Sequence, residues 1–152
     1  KASKESMIEH QEQIKEMVGN AGLRQDEIFI SPEHFSSLLT QLNNYRHQCD
    51  MTDVVICVGE RQFPCHRAIL AGCSEFFHQL LQTLPAYAES KVQKLVIEDI
   101  YVDTVDIFLN YVYSGVAKIT ADNVEQLLDT AKFFQVQRLT EACTEFLNKH
   151  CS

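Results

Sequence analysis

The chain has 152 residues, with 21 Asp+Glu against 13 Lys+Arg, a formal net charge of −8. Hydrophobic residues at 45% and charged residues at 22% describe a folded domain rather than a disordered tail, and the length suits one core. The acidic balance excludes direct nucleic-acid binding by this segment, because gripping phosphate backbones needs clustered Lys and Arg. No run approaches the roughly 18 apolar residues of a membrane span, and the opening Lys-Ala-Ser-Lys-Glu-Ser is not a secretory signal. A start without Met and an end at Cys151-Ser152 are expected of a fragment of a longer protein.

Residues 4–18 place Met7, Ile14 and Val18, with Ile8 and Met17 beside them, on one face of an amphipathic helix that Gly19-Asn20 and Gly22 stop. An extension helix and hinge over 1–24 therefore precedes a domain over 25–152. Residues 25–30 are expected to form a short strand. Ser31-Pro32 is expected to start a helix, with Ser31 as N-cap and Pro32 at the first helical position. On that helix Phe35, Leu38, Leu39, Leu42 and Tyr45 form one apolar stripe, followed by a polar stretch over 43–48.

Asp53-Val54-Val55-Ile56-Cys57-Val58 is a strand dense enough in apolar residues to be buried on both faces. Gly59-Glu60 turns the chain into a second strand over 61–66, where Pro64 requires an edge or a bulge. A helix from Arg67 to about Leu81 is expected to break near Gly72-Cys73-Ser74, with Ser74 capping its second piece. A loop over 84–90 leads to a third strand, Lys94–Glu98. Asp103 is expected to cap a helix ending at Gly115, Thr120 to open another, and a last helix through Leu139, Cys143 and Phe146 to fold back on it as a hairpin. Strands early and helices late make the class α+β.

Six cysteines with no CxxC pair match no zinc pattern, and four of them sit in apolar periodic segments where a thiol acts as a small hydrophobe. Without a secretory signal, reduced thiols in the cytoplasm or nucleus are expected. Cys65-His66 is an adjacent thiol–imidazole pair, but neighbours on a strand point to opposite faces. A buried structural Cys beside a hydrogen-bonded His is the expected arrangement. The five glycines form no phosphate loop. No catalytic residue, metal site or cofactor site is assigned, and the chain does not read as an enzyme.

Residues 53–58, then Phe63-Pro64-Cys65-His66-Arg67-Ala68-Ile69-Leu70-Ala71-Gly72-Cys73-Ser74-Glu75-Phe76-Phe77, resemble the signature of the BTB/POZ domain. Leu109-Asn110-Tyr111-Val112-Tyr113-Ser114-Gly115, Asn123-Val124-Glu125-Gln126-Leu127-Leu128 and Ala142-Cys143-Thr144-Glu145-Phe146-Leu147 continue the likeness in order, over about 27–150. The resemblance implies a small β-sheet flanked by five or more helices, here with an extra N-terminal amphipathic helix. It implies a protein-interaction module that forms homodimers with a swapped N-terminal helix. Phe35, Leu38, Leu39 and Leu42 then become dimer-interface candidates, with Ile28 and Phe29 in a segment, 27–30, like the strand that some members exchange. Asp53 and Arg67 match the family's charged pair near the dimer groove; a buried salt bridge without a partner role is the alternative reading.

Family members joined to kelch repeats are substrate adaptors of cullin-3 ubiquitin ligases, and carry a hydrophobic-x-Glu element before the third strand. Tyr87-Ala88-Glu89 stands there, so Tyr87 and Glu89 are cullin-binding candidates. Members joined to zinc fingers are transcription regulators that recruit corepressor peptides, and the 27–30 segment is more typical of these. The cullin-3 adaptor is the first reading and the transcription regulator the alternative.

Overall fold

The computed structural model describes residues 2–18, 25–84 and 92–150. The chain divides into two compact units, 1–38 and 39–152. The first holds α1, Ala2–Val18, and the start of α2, His34–His47. The second holds the rest of α2 and a three-stranded sheet of β1 (Val54–Val58), β2 (Arg61–Cys65) and β3 (Gln93–Val96). Its other helices are α3 (Arg67–Cys73), α4 (Glu75–Thr83), α5 (Val102–Ser114), α6 (Val124–Phe133) and α7 (Gln137–His150). This is the α+β arrangement expected.

The sheet is ordered β2-β1-β3, with β1 antiparallel to β2 and parallel to β3. The central strand is the one with the densest β-branched run, and Val54 and Ile56 on it are fully buried. Pro64 lies on the edge strand β2 opposite Val55, where its missing N–H leaves no gap in an inner ladder. Gly59 takes φ +59 in the β1–β2 turn, a left-handed conformation that suits glycine.

Helices close over the sheet through a cluster of Phe77, Phe108 and Phe134, with ring centroids 4.6 Å apart for Phe108–Phe134 and 4.9 Å for Phe77–Phe134. The expected break in the 67–81 helix falls at Ser74, whose hydroxyl accepts from the Phe77 N–H at 3.1 Å and donates to the Phe134 carbonyl at 2.5 Å. Gly115 ends α5 at φ +76, and α6 and α7 form the expected hairpin across a three-residue link, 134–136.

Four local expectations are corrected. Ser31 and Pro32 do not begin α2; the His34 N–H donates to the Ser31 carbonyl at 3.3 Å, a turn with proline at its favoured second position, and the helix starts at His34. Residues 26–30 carry no ladder, because a strand exists only through pairing and no strand among the described residues pairs with this segment. Asp103 lies inside the first turn of α5, whose cap position is Tyr101; there a carboxylate still meets the positive end of the helix dipole. Thr120 precedes α6 by a turn and exchanges two bonds with Asn123, at 3.0 and 3.1 Å.

Candidate interaction surfaces and the buried network behind them

The apolar stripe of α2 splits in two. Leu42 packs against the core and Leu39 is half-buried, whereas Leu38 is 47% and Phe35 52% exposed. Ile28 and Phe29 are exposed as well, Phe29 at 88%. The stripe is therefore not one uniform face: its C-terminal end belongs to the core and its N-terminal end is open. Within the first unit, Met7 and His10 of α1 line a groove of about 380 Å³ with Ile30, Pro32 and Phe35, and the His10 and Phe35 rings meet edge-on at 4.6 Å.

Asp53 and Arg67 come together, but not as a salt bridge between side chains. The Asp53 carboxylate accepts the Arg67 backbone N–H at 2.7 Å, while the guanidinium donates to Gln93 Oε1 and, at 3.4 Å, to the Leu81 carbonyl. A carboxylate satisfying the first helical N–H of α3 leaves the arginine free to bridge from α3 to β3 and α4. Both residues line an open groove with Ala68, Ala71, His78 and Leu81. Tyr87 and Glu89 lie outside the described residues.

Cys65 and His66 have the structural roles expected of them. Cys65 is fully buried, its thiol donating to the Phe63 carbonyl at 3.3 Å. Burial pushes its pKa up to about 12, with Arg46 opposing in part and Asp53 adding to the rise. The His66 N–H donates to the Tyr113 hydroxyl at 3.0 Å, and the ring spans Tyr113 (Nδ1, 2.8 Å) and the Asp50 carbonyl (Nε2, 3.1 Å). Because a carbonyl only accepts, Nε2 is the donor to Asp50, and in the neutral ring the Tyr113 hydroxyl is then the donor to Nδ1. Every polar atom of that exchange is satisfied. The Tyr113 pKa is raised, first by burial and then by Cys65.

Arg46 is only 7% exposed, a burial that its charge does not suggest. Its Nε donates to Asn43 Oδ1 at 2.9 Å and its Nη2 to Asn110 Oδ1 at 3.1 Å, and the guanidinium lies 4.9 Å from the Tyr113 ring centroid. The signal was present: Arg46 is four residues after Leu42 and so on the same helix face. Also unforeseen was the buried Thr104–Thr130 bond of 2.6 Å joining α5 to α6.

Among the described residues no group of three or more His, Cys, Asp or Glu could hold a metal ion, and no helix is long and apolar enough to cross a membrane. A small mixed sheet packed against helices, with an exposed apolar end of α2, matches a known domain of protein–protein interaction. The chain belongs to the BTB/POZ domain family, whose model matches residues 42–151. Human Kelch-like protein 24 is 38% identical over 116 residues, 76% of this chain and 19% of that protein. Kelch repeat and BTB domain-containing protein 2 of Pongo abelii is 36% identical over 125 residues, 82% of this chain and 20% of the relative. The chain thus spans about a fifth of the length of the curated relatives it matches. The BTB domain of zebrafish PATZ1 superposes with a TM-score of 0.73 at 25% identity, over 82% of this chain and 99% of that one. The BTB domain of human gigaxonin shares the fold at a TM-score of 0.70 and 24% identity, over 81% of this chain and 98% of that one. Family membership implies no catalytic role.

Proposed function

We propose that this is the homodimerising domain of a cullin-3 ubiquitin-ligase substrate adaptor, acting in the cytoplasm or nucleus. The observation that carries the reading is the similarity to kelch-named relatives, 38% and 36% identical over three quarters or more of the chain. The open apolar end of α2, Phe35 and Leu38, supports pairing with a second copy, since exposed apolar groups gain most from being covered. Tyr87 and Glu89 are the residues proposed to meet the cullin, and substrate choice belongs to other parts of the whole protein. The mechanism is scaffolding: two copies in one dimer present two ligase arms.

Titration calorimetry of the chain against the N-terminal domain of cullin-3 tests it. Binding at tens of micromolar or tighter, lost in Glu89→Ala, is the expected result. No heat for the wild-type chain, or an unchanged affinity for Glu89→Ala, rejects it. A second reading, a corepressor-binding domain of a transcription regulator, draws on the apolar Ile28-Phe29-Ile30 run, which pairs with no strand among the described residues and leaves Ile28 and Phe29 exposed. It predicts capture of a corepressor peptide in the groove beside Asp53 and Arg67, lost in Arg67→Ala.

A further inference from the structure

Arg46 is a permanent charge placed where α2 meets the core. At 100° per residue Leu39, Leu42 and Arg46 fall within about 60° of one another around the helix, Phe35 shares that sector and Leu38 lies about 40° outside it. The leucine contacts are non-directional, so by themselves they tolerate rotation and sliding of the helix. The Arg46 contacts are directional: Asn43 within α2 at 2.9 Å, Asn110 on α5 at 3.1 Å, and the face of Tyr113. Tyr113 is fixed in turn by His66, whose Nε2 holds the Asp50 carbonyl at 3.1 Å just beyond the end of α2. The turn carrying Asp50 has Cys49 at φ 58 and Met51 at φ 55 on either side of it. Non-glycine residues keep that left-handed backbone only where their surroundings hold it. The end of α2 is thus tied twice, from inside the helix by Arg46 and just past it by Asp50.

We propose that Arg46 is a positioning residue that locks the rotation of α2 against α5, and thereby decides which α2 side chains are offered for self-association. The proposal rests on the self-association reading given above. Stability and orientation are separable here, because replacing a buried ion by an apolar side chain of similar volume often leaves stability intact. Arg46→Met keeps much of the volume and removes every directional donor. Asn110→Ala, at an exposed position, removes one acceptor without opening the core.

Sedimentation equilibrium and thermal unfolding on the whole chain decide between the outcomes. Arg46→Met is expected to unfold within a few degrees of wild type while its dimer dissociation constant rises about tenfold or more. Asn110→Ala is expected to raise it about threefold with an unchanged midpoint. Wild-type dissociation constants in both variants overturn the proposal. Should Arg46→Met fail to fold, Asn110→Ala decides alone: an unchanged dissociation constant, or a midpoint that falls along with association, overturns it. A wild-type chain that is monomeric at about 100 μM is a different result. It rejects the self-association reading first, and the positioning role with it.

Discussion

Burial decides what the Cys65 thiol does. It is enclosed on β2, holds the Phe63 carbonyl at 3.3 Å, and has its pKa pushed up to about 12 chiefly by loss of solvent. Near pH 8 it is a protonated, unreachable thiol, whereas Cys49 is exposed. A thiol-specific reagent on the native chain should therefore label Cys49 and leave Cys65 and Cys143 untouched until denaturant is added, as read by peptide mass mapping. The raised value also has a stability consequence of definite sign. The folded chain keeps a proton that the unfolded chain releases around the ordinary value of 9.0, so the stabilisation is whole below pH 9 and is lost as pH climbs toward 12. Burial raises Tyr113 as well, and it acts in the same direction. The urea midpoint should fall between about pH 8 and about pH 10, and by less in Cys65→Ala. A midpoint that rises over that range would contradict the assignment.

Among the elements, α4 shows how a single side chain organises a junction. Ser74 breaks the helix run, caps α4 through the Phe77 N–H and reaches the Phe134 carbonyl between α6 and α7. Ser74→Ala removes both bonds inside a buried site and is expected to cost about 1–3 kcal/mol, measured by urea unfolding. This break was legible because Gly72-Cys73-Ser74 interrupts an apolar period and serine is a strong cap. The β-branched run of β1 and the 3.6-residue periods of α5, α6 and α7 were legible for the same reason: one local pattern admitted one structure. Ser31 and Asp103 misled because serine, proline and aspartate suit a turn or a first helical turn as well as a cap. The 26–30 segment misled because apolar β-formers specify a strand only when another strand lies beside them. Arg46 was hidden by its chemistry: its charge suggested solvent, while its phase relative to Leu42 placed it inside. Its partner Asn110 is 64 residues away, a pairing that no local pattern encodes.

At the scale of the whole molecule, α2 carries a core-packed part and an exposed part along one stripe, and two substitutions separate them. Leu42 packs on the core, so Leu42→Asp replaces those apolar contacts with a carboxylate whose nearest cation on the helix face, Arg46, is already held by Asn43 and Asn110. That change should destabilise the fold by more than about 2 kcal/mol, whatever the oligomeric state. Leu38 is 47% exposed in the single chain, so an aspartate there remains hydrated and should shift unfolding by no more than about 0.5 kcal/mol. In a dimer that covers Leu38, the same carboxylate would be buried against apolar groups of a second copy, and association should be lost. Urea unfolding and multi-angle light scattering on the two variants give a crossed pattern: Leu38→Asp folded and monomeric, Leu42→Asp unstable. A Leu38→Asp chain that stays dimeric places the pairing surface elsewhere. A Leu38→Asp chain as unstable as Leu42→Asp makes the whole stripe core, and leaves self-association without its apolar face.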